Sequence, residues 1–396
     1  MNRGMPMNRR HARVAAATAA ALILGGALSA SVAGASSPAQ RTAPSDYYAY
    51  VDGTVRHLAG MSTGVNRPIT AFVQPDGTVH AARGSSWKAD PGSISYWSEA
   101  GTGRWRKTVF GPRRFGRDTY DVGTQRTRDG RTVVTVIRAC RTTYVVTAGA
   151  EHFGAPIVHT LFPTKHSGPC SAATNKPQNT KFVVLPKLQT VVAESVGRVR
   201  ATTVGFHGYA TPFEYLPGSK GVVVKGMSTN ANSGTVFLVG QVHGTDSFEL
   251  WTLQPGTGWT GPESVPLGSG SEYAFASMAS AWGRLVVGFH NPLDGTVSVA
   301  TRDRHGTWTA AQQLPGSPTG ASFLRLAPDA PRNAIVAAYS VEGRTADGGY
   351  VGGIALQRFN AGTWSAPSYL TSTFGDRLHA LALTPDGSPV LVFERS

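Results

Sequence analysis

One phrase recurs along this chain. Gly258-Trp259-Thr260-Gly261-Pro262, Gly306-Thr307-Trp308-Thr309-Ala310-Ala311 and Gly362-Thr363-Trp364-Ser365-Ala366-Pro367 are versions of it, and Gly103-Arg104-Trp105 matches its first half. His152-Phe153-Gly154-Ala155-Pro156 and Gly208-Tyr209-Ala210-Thr211-Pro212 match with Phe or Tyr in place of Trp. The aromatic positions 105, 153, 209, 259, 308 and 364 lie 48 to 56 residues apart. A weaker copy stands at Asp52-Gly53-Thr54-Val55. A period of about 50 residues means one small unit repeated, each burying its apolar faces against its neighbours.

A second phrase repeats independently. Pro75-Asp76-Gly77, Arg128-Asp129-Gly130, Asn232-Ser233-Gly234, Ala281-Trp282-Gly283 and Pro385-Asp386-Gly387 are tight-turn signals between short apolar runs. In residues 273–314 the reading is complete. Phe275–Met278 is a first run, Leu285–Phe289 a second and Val297–Thr301 a third, and Trp308 opens a fourth. The composition agrees: 47 Gly, 25 Pro and only 15% charged residues leave little for solvent-facing helices. Four strands in about 50 residues, repeated, predict an all-β fold, a β-propeller of four-stranded blades. Residues 36–396 have room for seven. The last unit supplies only two strands, from Leu378 to Glu394, and Tyr47–Val51 with Val55–Leu58 are expected to complete it and close the ring. The repeated aromatic is expected to pack between blades.

The start of the chain reads differently. Arg9, Arg10 and Arg13 precede an apolar run, Val14 to Val32, that ends at Ala33-Gly34-Ala35. This is the pattern of a signal peptide over residues 1–35, followed by a loose leader over 36–45 and a single propeller domain over 46–396. A membrane anchor is the alternative reading of the same run. The expected product is secreted, with no membrane span in the mature chain. Cys140 and Cys170 then read as a disulfide. The formal net charge is +14 and is uneven: residues 56–141 hold 15 Lys/Arg against 6 Asp/Glu. Such a patch attracts anionic cell-surface polymers.

Strand order sorts the polar residues onto faces. The loops between second and third strands, and the connections between blades, emerge on one face; the tight turns emerge on the other. Candidate ligand-binding residues collect on the first: Arg67, Trp87, Arg113, Arg117, Asp118, Tyr120, Arg138, His243, His290, Asp376 and Arg377. No H-E-x-x-H, CxxC, P-loop or dinucleotide fingerprint occurs, so no metal and no cofactor are expected. No nucleic-acid motif accompanies the basic patch. Gly60-Met61-Ser62-Thr63-Gly64 fits the serine-hydrolase pentapeptide, but no helical period follows it and it reads as a connection.

The segments before each Trp carry a resemblance. Thr252-Leu253-Gln254-Pro255-Gly256-Thr257-Gly258-Trp259 is similar to the Asp-box of sialidase-like propellers, with Gln254 in place of Asp. Thr301-Arg302-Asp303-Arg304-His305-Gly306-Thr307-Trp308 keeps Asp303 and shifts the Gly by one. Asn66-Arg67-Pro68-Ile69 resembles, in changed order, the segment that supplies one sialidase arginine. The chain also looks like seven-bladed propeller lectins. The resemblance implies a lectin-like carbohydrate-binding protein, with Trp87 or Trp97 stacking on a sugar; the Arg-rich loops expected on one face extend the expectation to an anionic glycan. A sialidase-like glycoside hydrolase is the alternative, with Asp118, Tyr120, Glu272, Tyr273 and Asp376 as the residues to inspect. A protein-binding platform is a third reading.

Overall fold

The computed structural model describes residues 46–58, 69–73, 77–84, 94–99, 105–110, 119–126, 132–138, 141–147, 157–160, 180–185, 189–205, 210–230, 233–267, 275–291, 295–329, 331–344 and 349–395; between 82 and 180 it describes the backbone alone. The signal-peptide and leader segments, Gly60 to Gly64 and both cysteines lie outside these residues.

The described residues are all-β and form antiparallel sheets. Strands β1 (Asp46–Val51) and β2 (Thr54–His57) open the chain. One sheet holds β3 (Ile69–Val73), β4 (Val79–Gly84), β5 (Ile94–Glu99) and β6 (Trp105–Phe110). The next holds β7 (Thr119–Arg126), β8 (Thr132–Arg138), β9 (Arg141–Thr147) and β10 (Ile157–Thr160). A third holds β11 (Thr180–Val184), β12 (Thr190–Val196), β13 (Arg198–Val204) and β14 (Glu214–Lys220). A fourth holds β15 (Val222–Asn230), β16 (Thr235–Val242), β17 (Phe248–Gln254) and β18 (Gly258–Val265). A fifth holds β19 (Phe275–Ala281), β20 (Arg284–Asn291), β21 (Thr296–Arg302) and β22 (Gln312–Gln313). A sixth holds β23 (Ala321–Asp329), β24 (Ala334–Arg344), β25 (Tyr350–Asn360), β26 (Thr363–Trp364) and β27 (Ser368–Tyr369). Finally β28 (Arg377–Leu383) and β29 (Pro389–Arg395) join the first two strands in the order β2-β1-β29-β28. Tyr48 faces Phe393 across the β1–β29 ladder. These are propeller-like blades.

The packing explains the sequence pattern. The second strand of a sheet is buried on both faces, as Val236–Gln241, Leu285–Phe289, Ala334–Val341 and Val390–Phe393 show. Such strands read as unbroken apolar runs because no side faces water. Outer strands such as β14 and β18 alternate irregularly and are mostly exposed. First strands pack on first strands: β3 on β7, β7 on β11, β11 on β15, β15 on β19, β19 on β23, β23 on β28, and β28 on β3. The repeated tryptophans are half-buried and seal the joints. Trp259 packs on a core shared by the third and fourth sheets, Trp308 on one shared by the fourth and fifth, and Trp364 on one shared by the fifth and sixth.

Two polar devices recur between sheets. A third-strand side chain reaches the fourth-strand side of the preceding sheet: Trp251 Nε1 donates to the Pro217 carbonyl at 2.8 Å, Arg302 pairs with Glu263, and Gln357 Nε2 donates to the Pro315 carbonyl at 2.8 Å. The second device answers a bulge. Lys225 and His379 are extra residues in β15 and β28. The amide before each bulge, on Val224 and Leu378, donates at 2.8 Å to a serine hydroxyl of the preceding sheet, Ser195 and Ser340 respectively. Both serines are buried, so each removes an orphan backbone donor.

Candidate functional site

The site builds from one hairpin. Ala281 pairs with Arg284, leaving a two-residue turn, Trp282-Gly283. Both carry positive φ, 49° and 76°. A two-residue turn of this hand matches strand twist and favours Asn-Gly or Asp-Gly, because the first position is left-handed. Asp52-Gly53 follows the rule at 48° and 78°. Trp282 does not, and a bulky residue held at such φ is strained. Its side chain remains 38% exposed, beyond the core. The turn thus leaves the indole partly open to solvent.

Trp282 forms one wall of a cavity of about 490 Å³ lined also by Arg284, Asp303, Arg304, His305 and Asn333. These come from the tight turns of the fifth sheet and, for Asn333, from the β23–β24 turn of the sixth. Asp303 organises its own turn. Its Oδ1 accepts the His305 and Thr307 amides, each at 2.8 Å. These amides, Thr307 first, hold its carboxyl below the ordinary value of 3.8. Arg304 Nε donates to His305 Nε2 at 3.0 Å, so two side chains of the turn are held against each other. Two guanidinium groups face the cavity against one carboxylate.

A second cavity, of about 390 Å³, lies between the fourth and fifth sheets. Its lining is mostly uncharged: Asn230, Ser233, Thr235, Thr252, Gln254 and Thr260 contribute amides and hydroxyls over Phe237 and Leu250. Its charges are matched. Glu263 meets Arg302 in a two-pronged bond at 2.9 and 3.0 Å and also accepts the Trp308 indole. The Asp-box-like segments 252–259 and 301–308 thus form the turns that shape both cavities.

The chemistry suits a sugar. The electron-rich face of an exposed indole attracts the C–H face of a pyranose ring. Guanidinium groups take a carboxylate or sulfate, and amides and hydroxyls take ring hydroxyls.

These cavities open at the tight-turn ends of the strands, and those of the residues expected from the sequence that are described lie at the other ends. His243 is exposed in the β16–β17 turn, His290 is half-buried near the end of β20, and Arg377 is exposed at the start of β28. Asp376 is fully buried, and Arg395 takes both its oxygens at 2.7 and 2.9 Å. Tyr120 is the extra residue of a bulge in β7, and Arg138 ends β8. Arg67, Trp87, Arg113, Arg117 and Asp118 lie outside the described residues, as do Glu272 and Tyr273. In the sequence Trp282 stands out only as part of a turn. The signal was present: the matching positions of other units hold Asp76, Asp129, Ser233 and Asp386, small polar residues that suit a turn. Among the described residues no cluster of His, Cys, Asp and Glu is arranged for a metal ion, and no helix is long and apolar enough to cross a membrane.

No protein-family model matches the chain, and no curated protein matches it. Solved structures do. A protein from Lactobacillus plantarum aligns over 88% of this chain and 99% of its own at 14% identity, with a TM-score of 0.52. A fucose-specific lectin from Aleuria aurantia aligns over 78% of this chain and 97% of its own at 12% identity, with a TM-score of 0.45. The NanB sialidase from Streptococcus pneumoniae aligns over 83% of this chain and 64% of its own at 12% identity, with a TM-score of 0.45. The resemblance to sialidase-like propellers and propeller lectins, read first in the hairpin repeats, is met in these structures, and it concerns the fold alone.

Proposed function

We propose that this chain is a secreted carbohydrate-binding protein, built as a closed seven-bladed ring, that takes an anionic glycan between its fifth and sixth sheets. The single observation that carries the reading is Trp282, an exposed indole kept in a left-handed turn beside Arg284 and Arg304. The left-handed first position of such a turn favours Asn, Asp or Gly; Ala361 is a small exception in the two-residue β25–β26 turn of the sixth sheet, whereas Trp282 adds a large exposed ring. The ring is supported by the sequence of first-strand contacts and by the pairing of β1 with β29. Secretion, and with it a bond between Cys140 and Cys170, rests on the Arg-rich and Ala-rich start of the chain. Binding is favoured over hydrolysis because the carboxylates lining the two cavities are already engaged, Asp303 by turn amides and Glu263 by Arg302. A glycan-array screen at physiological and at high salt tests the reading. Saturable binding to a defined glycan that persists in high salt is the expected result. Binding that vanishes with salt would reduce the protein to a general adhesive for anionic surfaces, and no binding at either salt would overturn the proposal.

A further inference from the structure

The two cavities are neighbours. Trp282 and Asp303 line the first, and the residues next to them in the chain, Gly283 and Arg302, line the second. The paired turns of the fifth sheet are therefore their common wall. The next joint, between the sixth sheet and the sheet that unites the termini, is filled. There Arg332 Nη1 and Arg358 Nε each donate to the buried Asp329 Oδ2 at 3.3 Å, and Arg358 Nη2 donates to the Gly387 carbonyl at 3.1 Å. A side chain at Gly387 would collide with the Arg332 guanidinium and the Asp329 carboxylate. This joint holds charge pairs on a buried carboxylate where the two neighbouring joints hold cavities.

The two open cavities also differ in chemistry. One offers an aromatic face and an excess of positive charge; the other offers neutral donors and acceptors around a matched ion pair. Each has room for at least one sugar unit, so a ligand that occupies both is longer than a monosaccharide. We infer that the ligand is a linear glycan in which acidic and neutral sugars alternate. It would lie across the turns of the fifth sheet with an acidic unit on Trp282 and a neutral unit over Thr252, Gln254 and Thr260. The inference rests on the carbohydrate reading above, and adds to it a minimum length and a direction.

The probes are glucuronic acid, N-acetylglucosamine, and hyaluronan, chondroitin and heparosan oligosaccharides of two to eight units, titrated by calorimetry. The expected result is a gain of about tenfold or more in affinity from the acidic monosaccharide to an alternating oligomer, the yield of one or two additional hydrogen bonds. The gain should level off once both cavities are spanned. In Gln254→Ala the ratio of long-chain to single-unit affinity should shrink towards one. A monosaccharide that binds as tightly as every oligomer would overturn the linear-chain inference and leave the carbohydrate reading standing. Binding confined to neutral glycans would overturn the assignment of the acidic unit. No binding to any glycan would overturn both readings, and the length ratio in the unsubstituted protein decides the matter even where a variant fails to fold.

Discussion

Trp282 occupies a turn position at the expense of stability, and that makes it a test. Replacing it with Asn puts a residue suited to the left-handed region in its place. Trp282→Asn should therefore raise stability by about 1 kcal/mol, seen as a higher urea midpoint, while glycan affinity falls. A substitution that lowers both would mean that the indole is a packing element. Asp303 gives a second test. Its folded carboxyl titrates below 3.8, so the turn it organises is held above that value and is released only as the pH falls through the lowered one. Glycan affinity should stay level with respect to this group from pH 7 down to about 4; Asp303→Asn should weaken binding across that range. Residue-scale function was the least legible part of the sequence. Charged and aromatic loop residues such as Arg377 and His243 stand out in a string of letters, whereas the conformation that lifts Trp282 out of the core does not. Asp376 looked like a ligand-binding acid and is instead buried against Arg395.

The four-strand unit was readable almost to the residue. The runs at Leu285–Phe289 and Val297–Thr301 became β20 and β21, and the signals at Trp282-Gly283 and Asp386-Gly387 became hairpin turns. Apolar period and turn chemistry are local, so a single chain displays them. The fourth strand was harder. Trp308 makes only an isolated bridge to Arg302, and the ladder resumes at Gln312–Gln313. Bulges were invisible, because an extra residue in one strand is defined by its partner strand. The serines that answer them are open to test. Ser195→Ala and Ser340→Ala each leave a buried amide, on Val224 or Leu378, without its acceptor. Each should lower unfolding free energy by about 1 to 3 kcal/mol in urea titration. Alanine at exposed Ser233 should change it by less than about 0.5 kcal/mol. Equal effects at all three sites would remove the bulge–serine pairing from the forces that hold neighbouring sheets.

At the scale of the whole molecule, the decisive sheet is the one that joins the two ends of the chain. Arg395 holds it from three sides: it forms the two-pronged bond to Asp376 and lies over the Tyr48 and Phe393 rings at 4.9 and 5.5 Å. Asp376→Asn should cost about 2 to 3 kcal/mol of stability without changing glycan affinity, because the pair lies at the strand ends opposite the cavities. Removal of residues 46–58 exposes the edge of β29 and should abolish cooperative thermal unfolding; a sharp transition in the truncated chain would count against ring closure by shared strands. The pairing of the termini was legible from the count of strands in the last unit. The location of the candidate site was not, since it depends on which inter-sheet joints are filled and which are open. The most direct measurement is therefore a crystal structure of the protein with a glycan that the array identifies. A sugar ring stacked on Trp282, with its acidic group at Arg284 and Arg304, is the expected result. A sugar bound instead at the opposite strand ends, near His243, His290 or Arg377, would contradict it.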